Sequence, residues 1–160
     1  SQHYEIVTPG LKYNMMDIQA ALGLHQLPAL DGFIKRRTEL ALRYQKLLAG
    51  WPQWTRPGTP AFAHRHAWHL YAPLINPAAA GMDRDAFMQG MKQRNIGTGL
   101  HYRAVHLYPY YREHYGFKPG DFPNAESIGD RIVSLPLFPG MRDADQDRAL
   151  AAMADLFGSK

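Results

Sequence analysis

The feature that most constrains the fold is a long helical pattern from Asn14 to Leu48, where apolar residues recur every three or four positions. Such a helix needs another layer of structure to cover its apolar face. Pro28 interrupts the pattern, so we expect one helix to end and a second to begin at about this residue, with Gly50 closing the second. One kinked helix is the alternative. Asn14 or Asp17 would cap the first helix.

Shorter patterns follow, and they alternate between helix and strand. Helices are predicted at 83–94, 108–115, 122–131 and 143–157, the first of them capped by Asp83, and strands at 3–8, 66–75, 97–102 and 133–138. Pro136 favours an edge position for the last strand. Because the strands are short and separated, we expect an α+β fold with a mostly antiparallel sheet. Residues 1–50 would hold the first strand and the long helices, and residues 51–160 a compact α+β unit.

Composition excludes several classes of protein. The net charge of +4 is spread along the 160 residues rather than concentrated in a stripe, which argues against nucleic acid as a partner. The absence of cysteine excludes disulfides and thiolate metal sites. No apolar run is long enough for a membrane span, and no signal-peptide pattern precedes the first helix. A cytoplasmic location is therefore expected.

Chemistry-bearing residues are concentrated between Ile96 and His106. Small residues come first, and His101, Tyr102, Arg103 and His106 then fall within six positions. Arginine offers a planar fork of donors to phosphate or carboxylate, and histidine changes its charge near neutral pH. The stretch predicts a lining for an anionic, polyhydroxylated or carbonyl-bearing ligand. A polar strand edge of similar composition is the alternative.

A second candidate lies just before the first helix. Lys12, Tyr13 and Asn14 follow a Pro-Gly turn. A lysine and an amide beside the free N–H groups of a helix N-terminus favour a phosphate. An ordinary asparagine cap next to a solvated lysine explains the same residues equally well.

Other chemistries find weaker support. His66 and His69 would lie on opposite faces of a strand, and no carboxylates cluster near His101 or His106, so no metal site is predicted. No G-x-S-x-G pattern supports a serine hydrolase. Phosphate-binding loops of the P-loop and dinucleotide types are also missing from the sequence.

Several separated segments resemble one family. Residues Gly10–Leu27 resemble a segment of the pyridoxal-phosphate-dependent sugar aminotransferases known as the DegT/DnrJ/EryC1/StrS family. The segments at 66–71 and 97–106 are similar to those of the UDP-4-amino-4-deoxy-L-arabinose–oxoglutarate aminotransferase branch, which acts on UDP-4-keto-arabinose in lipid A modification. Ser134–Pro139 resembles the C-terminal signature of the family. The likeness runs in the family's order from about Thr8 to Phe157.

The resemblance implies the small C-terminal domain of a fold-type-I transferase with pyridoxal 5'-phosphate (PLP) as cofactor. In this family the lysine that forms the Schiff base lies upstream of the segment matched by Lys12. No catalytic lysine is therefore expected among these 160 residues, and we expect the chain alone to be inactive. The complete enzyme would be a homodimer that moves an amino group from glutamate, leaving 2-oxoglutarate, to a nucleotide-linked 4-keto-sugar.

The resemblance also suggests roles for single residues. Asn14, flanked by Lys12 and Tyr13, matches an asparagine that reaches the cofactor phosphate of the neighbouring subunit. Substrate contacts are expected from the residues of the polar stretch and from one strand histidine: His101, Tyr102, Arg103, His106 and, more weakly, His69. One of His101 and His106 would lie near the reacting amine.

Two other functions fit the sequence. The chain could be a non-catalytic binding or dimerisation module for an anionic sugar nucleotide, with the apolar helix as its partner surface. It could also come from a sugar dehydratase-like relative, in which a histidine replaces the lysine.

Overall fold

The computed structural model describes Thr8, Leu11 and residues 13–158. The strand predicted at 3–8 lies outside these residues, apart from Thr8. The chain divides into two compact units, residues 1–32 and residues 33–160, with the division inside the second helix. The predicted boundary at residue 50 stays a prediction.

The long helical pattern forms two helices with a tight turn between them. Helix α1 spans Asp17–Gln26, a 3₁₀ turn spans Leu27–Ala29, and α2 spans Leu30–Leu47. The predicted break at Pro28 is confirmed, because proline has no N–H to donate and its ring clashes with the preceding helical turn. The predicted cap is wrong. The helix begins at Asp17, so Met16 occupies the capping position, and its N–H donates to Gln19 Oε1 at 3.0 Å.

The helices and strands of the second unit enclose a core of apolar side chains. The buried residues include large aromatic and aliphatic side chains from several helices and from the sheet, among them Tyr44, Trp54, Tyr71, Phe87, Met91, Val133, Leu135 and Met153. Helix α7, at Asp143–Leu156, lies beside α2. Arg36 and Arg43 pair with carboxylates of α7 at 2.7 and 2.6 Å. The predicted helix at 143–157 is thus confirmed.

The sheet is smaller than the sequence suggested. Strand β1, Trp54–Thr55, pairs antiparallel with β2, Leu74–Ile75. Three further antiparallel bridges continue the arrangement, namely Tyr71 with Leu135, Leu74 with Ile132 and Gly99 with Ser134. The segments predicted as strands at 66–75, 97–102 and 133–138 therefore come together, but mostly through single bridges. The predicted α+β fold is confirmed.

The segment before β2 departs most from prediction. Residues 66–70 form no strand, because the backbone turns at Trp68, which has a φ of 45°. The N–H of Trp68 donates to His66 Nδ1 at 2.8 Å, and the two rings lie 4.1 Å apart. This local hydrogen bond and the ring contact replace the ladder bonds of a strand.

The remaining helices connect these strands. They are α3 at Pro77–Ala80, α4 at Arg84–Gln93, α5 at Pro109–Tyr115 and α6 at Pro123–Gly129, with a 3₁₀ turn at Val105–Leu107. The three predicted helices at 83–94, 108–115 and 122–131 are confirmed within a few residues. Asp83 caps α4 as predicted, since its Oδ1 accepts from the Ala86 N–H at 2.8 Å. None of the helices described is long and apolar enough to cross a membrane.

Candidate functional site

The polar stretch begins at the sheet, where Gly99 is bonded to Ser134 in both directions. The Gly99 N–H donates to the Ser134 carbonyl at 2.9 Å, and the Ser134 N–H donates back at 2.8 Å. His101 folds over this bridge, and its Nδ1 lies 2.9 Å from Ser134 Oγ. A Cβ at position 99 would lie 2.7 Å from His101 Cε1. A side chain at position 99 would therefore displace the His101 ring, which Gly99 and Ser134 both contact.

Two exposed side chains follow His101. Tyr102 is 67% exposed, and its ring contacts that of His101 edge to face at 4.9 Å. The Arg103 guanidinium lies 6.0 Å from the centre of the Tyr108 ring, within the range of a cation–π contact. The peptide bond between His101 and Tyr102 is cis. These three side chains present an imidazole, a phenol and a guanidinium together, a set that suits phosphate and hydroxyl oxygens.

Helix α6 supports the backbone of this segment from behind. Gly129, its last residue, is buried, and a Cβ there would lie 2.8 Å from the Ala104 nitrogen and 3.3 Å from the Tyr102 carbonyl oxygen. The Gly129 carbonyl accepts a 2.6 Å hydrogen bond from Arg84 Nη1 on α4. The backbone of the polar stretch therefore packs directly on α6 at Gly129, which fixes the distance of Tyr102 and Arg103 from this helix.

His106 is placed differently from the other polar residues of the stretch. It is 6% exposed, and its Nε2 lies 2.9 Å from Glu126 Oε1. The same carboxylate oxygen accepts from the Gly120 N–H at 2.8 Å. The Gly120 N–H, followed by His106, holds the pKa of Glu126 below its usual range. His106 thus ties the stretch to α6, and its predicted substrate contact stays a prediction.

The phosphate-binding candidates belong to the first unit. Tyr13 is 86% exposed, and Asn14 is exposed three residues before α1 begins. Lys12 lies outside the described residues. An exposed amide close to the N-terminus of a ten-residue helix has the donor chemistry that a phosphate requires. The predicted role of Asn14 is therefore compatible with its place in the fold, and it stays a prediction.

The histidines at 66 and 69 make other contacts. His69 is exposed, and its carbonyl accepts from Arg37 Nη1 at 3.0 Å. His66 stacks on Trp68. Within the part of the chain that the structure describes, no three histidine, aspartate or glutamate side chains form a group that could hold a metal ion. The weak assignment of His69 to substrate binding stays a prediction.

Three residues that support the polar stretch were not predicted from the sequence. Ser134, Gly129 and Glu126 lie 23 or more residues beyond Arg103 along the chain, and only the fold brings them against the polar stretch. Ser134 had a signal of its own, because it opens the segment that resembles the family's C-terminal signature. Gly129 and Glu126 had none, since a helical glycine and a glutamate near a helix start are common.

Comparison with known proteins assigns the family. Residues 1–154 match the DegT/DnrJ/EryC1/StrS aminotransferase family. The chain belongs to this family. It is 45% identical over 160 residues to the spore coat polysaccharide biosynthesis protein SpsC of Bacillus subtilis (strain 168), a match that covers 98% of the chain and 40% of SpsC. The resemblance inferred from these sequence segments is thereby confirmed at the level of the family.

Solved structures agree with this assignment. The PLP form of Spr1654 from Streptococcus pneumoniae superposes with a TM-score of 0.87 at 27% identity, covering 99% of this chain and 40% of that one. DesV of S. venezuelae, in complex with a ketimine intermediate, gives a TM-score of 0.80 at 29% identity, with coverage of 97% and 39%. The chain therefore spans about 40% of the length of these relatives. The fold expected for this family is confirmed.

Proposed function

We propose that this chain is the C-terminal domain of a PLP-dependent sugar aminotransferase. The complete enzyme would move an amino group from glutamate to a nucleotide-linked 4-keto-sugar in the cytoplasm. Within the family, we propose the branch that acts on UDP-4-keto-arabinose in lipid A modification. The observation that carries the proposal is the rigidly supported presentation of His101, Tyr102 and Arg103, in a chain whose family is known.

The chemistry of these side chains supports a sugar nucleotide as ligand. Arg103 is exposed and keeps its guanidinium near the Tyr108 ring, so it can donate to a phosphate or a hydroxyl without a large rearrangement. Tyr102 offers a hydroxyl as well as a ring face. His106 would act as a positioning residue, because its hydrogen bond to Glu126 holds the polar stretch against α6.

The residues present also fit the cofactor. Asn14, with Tyr13 and Lys12 beside it, would contribute donors to the phosphate of the cofactor in a neighbouring subunit of a homodimer. When bound, PLP supplies the electron sink that makes amino transfer possible. The lysine that holds it would come from another part of the complete enzyme, so residues 1–160 alone should show no transamination.

Kinetics of the complete gene product test the role of Arg103. We expect R103A to lower kcat/KM for the nucleotide sugar at least tenfold, since a charge-assisted hydrogen bond is typically worth about 1.5–3 kcal/mol. R103K should recover part of that loss. The matched control is R112A, which removes an exposed arginine of α5 outside the polar stretch. Equal losses in R103A and R112A would refute the assignment.

Substrate choice requires a separate measurement. The complete gene product is assayed with glutamate and either UDP-4-keto-arabinose or a nucleotide-linked 4-keto-hexose. Faster turnover of the pentose supports the proposed branch, and faster turnover of the hexose refutes it while keeping the aminotransferase. Binding of sugar nucleotide without turnover, even with PLP present, would instead support the non-catalytic module.

A further inference from the structure

The hydrogen bond between Ser134 and His101 determines more than the position of a ring. Ser134 is 5% exposed, and its Oγ lies 2.9 Å from His101 Nδ1. A serine hydroxyl carries one hydrogen and needs one acceptor for it. Among the described residues, His101 Nδ1 is the only acceptor within hydrogen-bonding distance of this hydroxyl. A hydroxyl that donates to Nδ1 therefore has the acceptor that its hydrogen needs.

The opposite arrangement is unfavourable. If Nδ1 carried the proton and donated to Ser134 Oγ, the serine hydrogen would be buried without an acceptor. Among the described residues, no backbone carbonyl is hydrogen-bonded to the Ser134 hydroxyl in its place. The buried environment thus selects one tautomer of the neutral imidazole.

We infer that Ser134 is a positioning residue that keeps neutral His101 protonated at Nε2, so that His101 donates a hydrogen bond to an oxygen of the substrate. A neutral imidazole has one donor and one acceptor, so accepting at Nδ1 leaves the hydrogen at Nε2. His101 is half-exposed, and no described residue lies within hydrogen-bonding distance of Nε2.

This inference rests on the proposed function, and it specifies which role His101 has in binding the substrate. A nitrogen that already carries hydrogen cannot remove a proton from the reacting amine. His101 is therefore suited to a phosphate, hydroxyl or carbonyl oxygen of the sugar nucleotide. Gly99 contributes by leaving room for the ring over the bridge, since a Cβ there would meet His101 Cε1 at 2.7 Å.

Nitrogen-15 NMR of the histidine rings tests the tautomer directly in the 160-residue chain. At a pH where His101 is neutral, we expect the signals of an unprotonated Nδ1 and a protonated Nε2. In S134A they should move toward the average of two exchanging tautomers. The matched control S127A removes the hydroxyl of an exposed serine that is bonded to Arg131 at 3.0 Å, and should leave the His101 signals unchanged. A protonated Nδ1 in the wild type, or unchanged signals in S134A, would overturn the inference.

Kinetics of the complete gene product provide the second readout. We expect S134A, but not S127A, to raise KM for the nucleotide sugar about three- to tenfold, in line with one weakened hydrogen bond. Unchanged kinetics in an active S134A enzyme would contradict the role in substrate binding. A gene product that turns over no keto-sugar would refute the proposed function, while the NMR signals still decide the tautomer.

Discussion

Replacing Gly129 with alanine tests whether the contact between α6 and the polar stretch is as tight as the structure indicates. The new Cβ would lie 2.8 Å from the Ala104 nitrogen, 3.3 Å from the Tyr102 oxygen and 3.4 Å from the Arg103 carbonyl carbon. All three are backbone atoms, which cannot rotate out of the way as a side chain can. The methyl group must therefore push α6 and the polar stretch apart.

The expected magnitude follows from two opposing terms. Overpacking in a buried position typically costs about 1–3 kcal/mol. Alanine regains part of this, up to about 1 kcal/mol, because it favours the helix more than glycine does. The gain is smaller at Gly129, which is the last residue of α6. We expect the free energy of unfolding to fall by about 1–2 kcal/mol, which lowers Tm by about 2–8 °C in a chain of this size.

Urea and thermal unfolding of the purified chain measure this change, with G90A as the matched control. Gly90 is also a buried helical glycine, and its Cβ would lie 2.7 Å from Leu156 Cδ1. That atom is the end of a flexible side chain, so G90A should cost less than G129A. If G129A is as stable as the wild type, or less damaging than G90A, the packing argument is refuted.

Two further predictions concern the pH dependence and the core. The Arg142 side chain and N–H lower the pKa of Asp145 to about 2, so the pair stabilises the fold above the unfolded-state pKa of about 3.9 and loses this effect as the pH falls through about 2. Urea unfolding at several pH values should therefore show D145N less stable than the wild type above pH 4, with the difference disappearing as the pH falls below about 2; a constant difference would contradict this. In the core, Tyr71 has a buried hydroxyl with no hydrogen-bond partner among the described residues, whereas Tyr44 donates to the Pro136 carbonyl at 3.1 Å. Thermal unfolding should show Y71F as stable as the wild type or more so, and Y44F less stable by about 0.5–1.5 kcal/mol; the reverse order would refute this reasoning.

The helices show how far local sequence reaches in this protein. The break at Pro28 and the Asp83 cap depend on interactions within four residues, and both were predicted correctly. The cap of α1 was not, because the residue that caps depends on where the helix starts. The strands were less predictable, because a strand is stable only when a second segment pairs with it. In the strand predicted at 66–75, the backbone turns at Trp68, so residues 66–70 do not pair.

The candidate site also has features that the sequence predicts and features that depend on the fold. Sequence alone predicted which residues could carry the chemistry, because His101, Tyr102 and Arg103 are adjacent and their types are unusual together. It also determined the family, through segments that need no fold to be recognised. Only the tertiary structure decided how these side chains are held, because Ser134 and Gly129 reach them across the sheet and from α6. Contacts between segments that are distant in sequence depend on how the helices and strands pack, and this packing cannot be inferred from local sequence patterns.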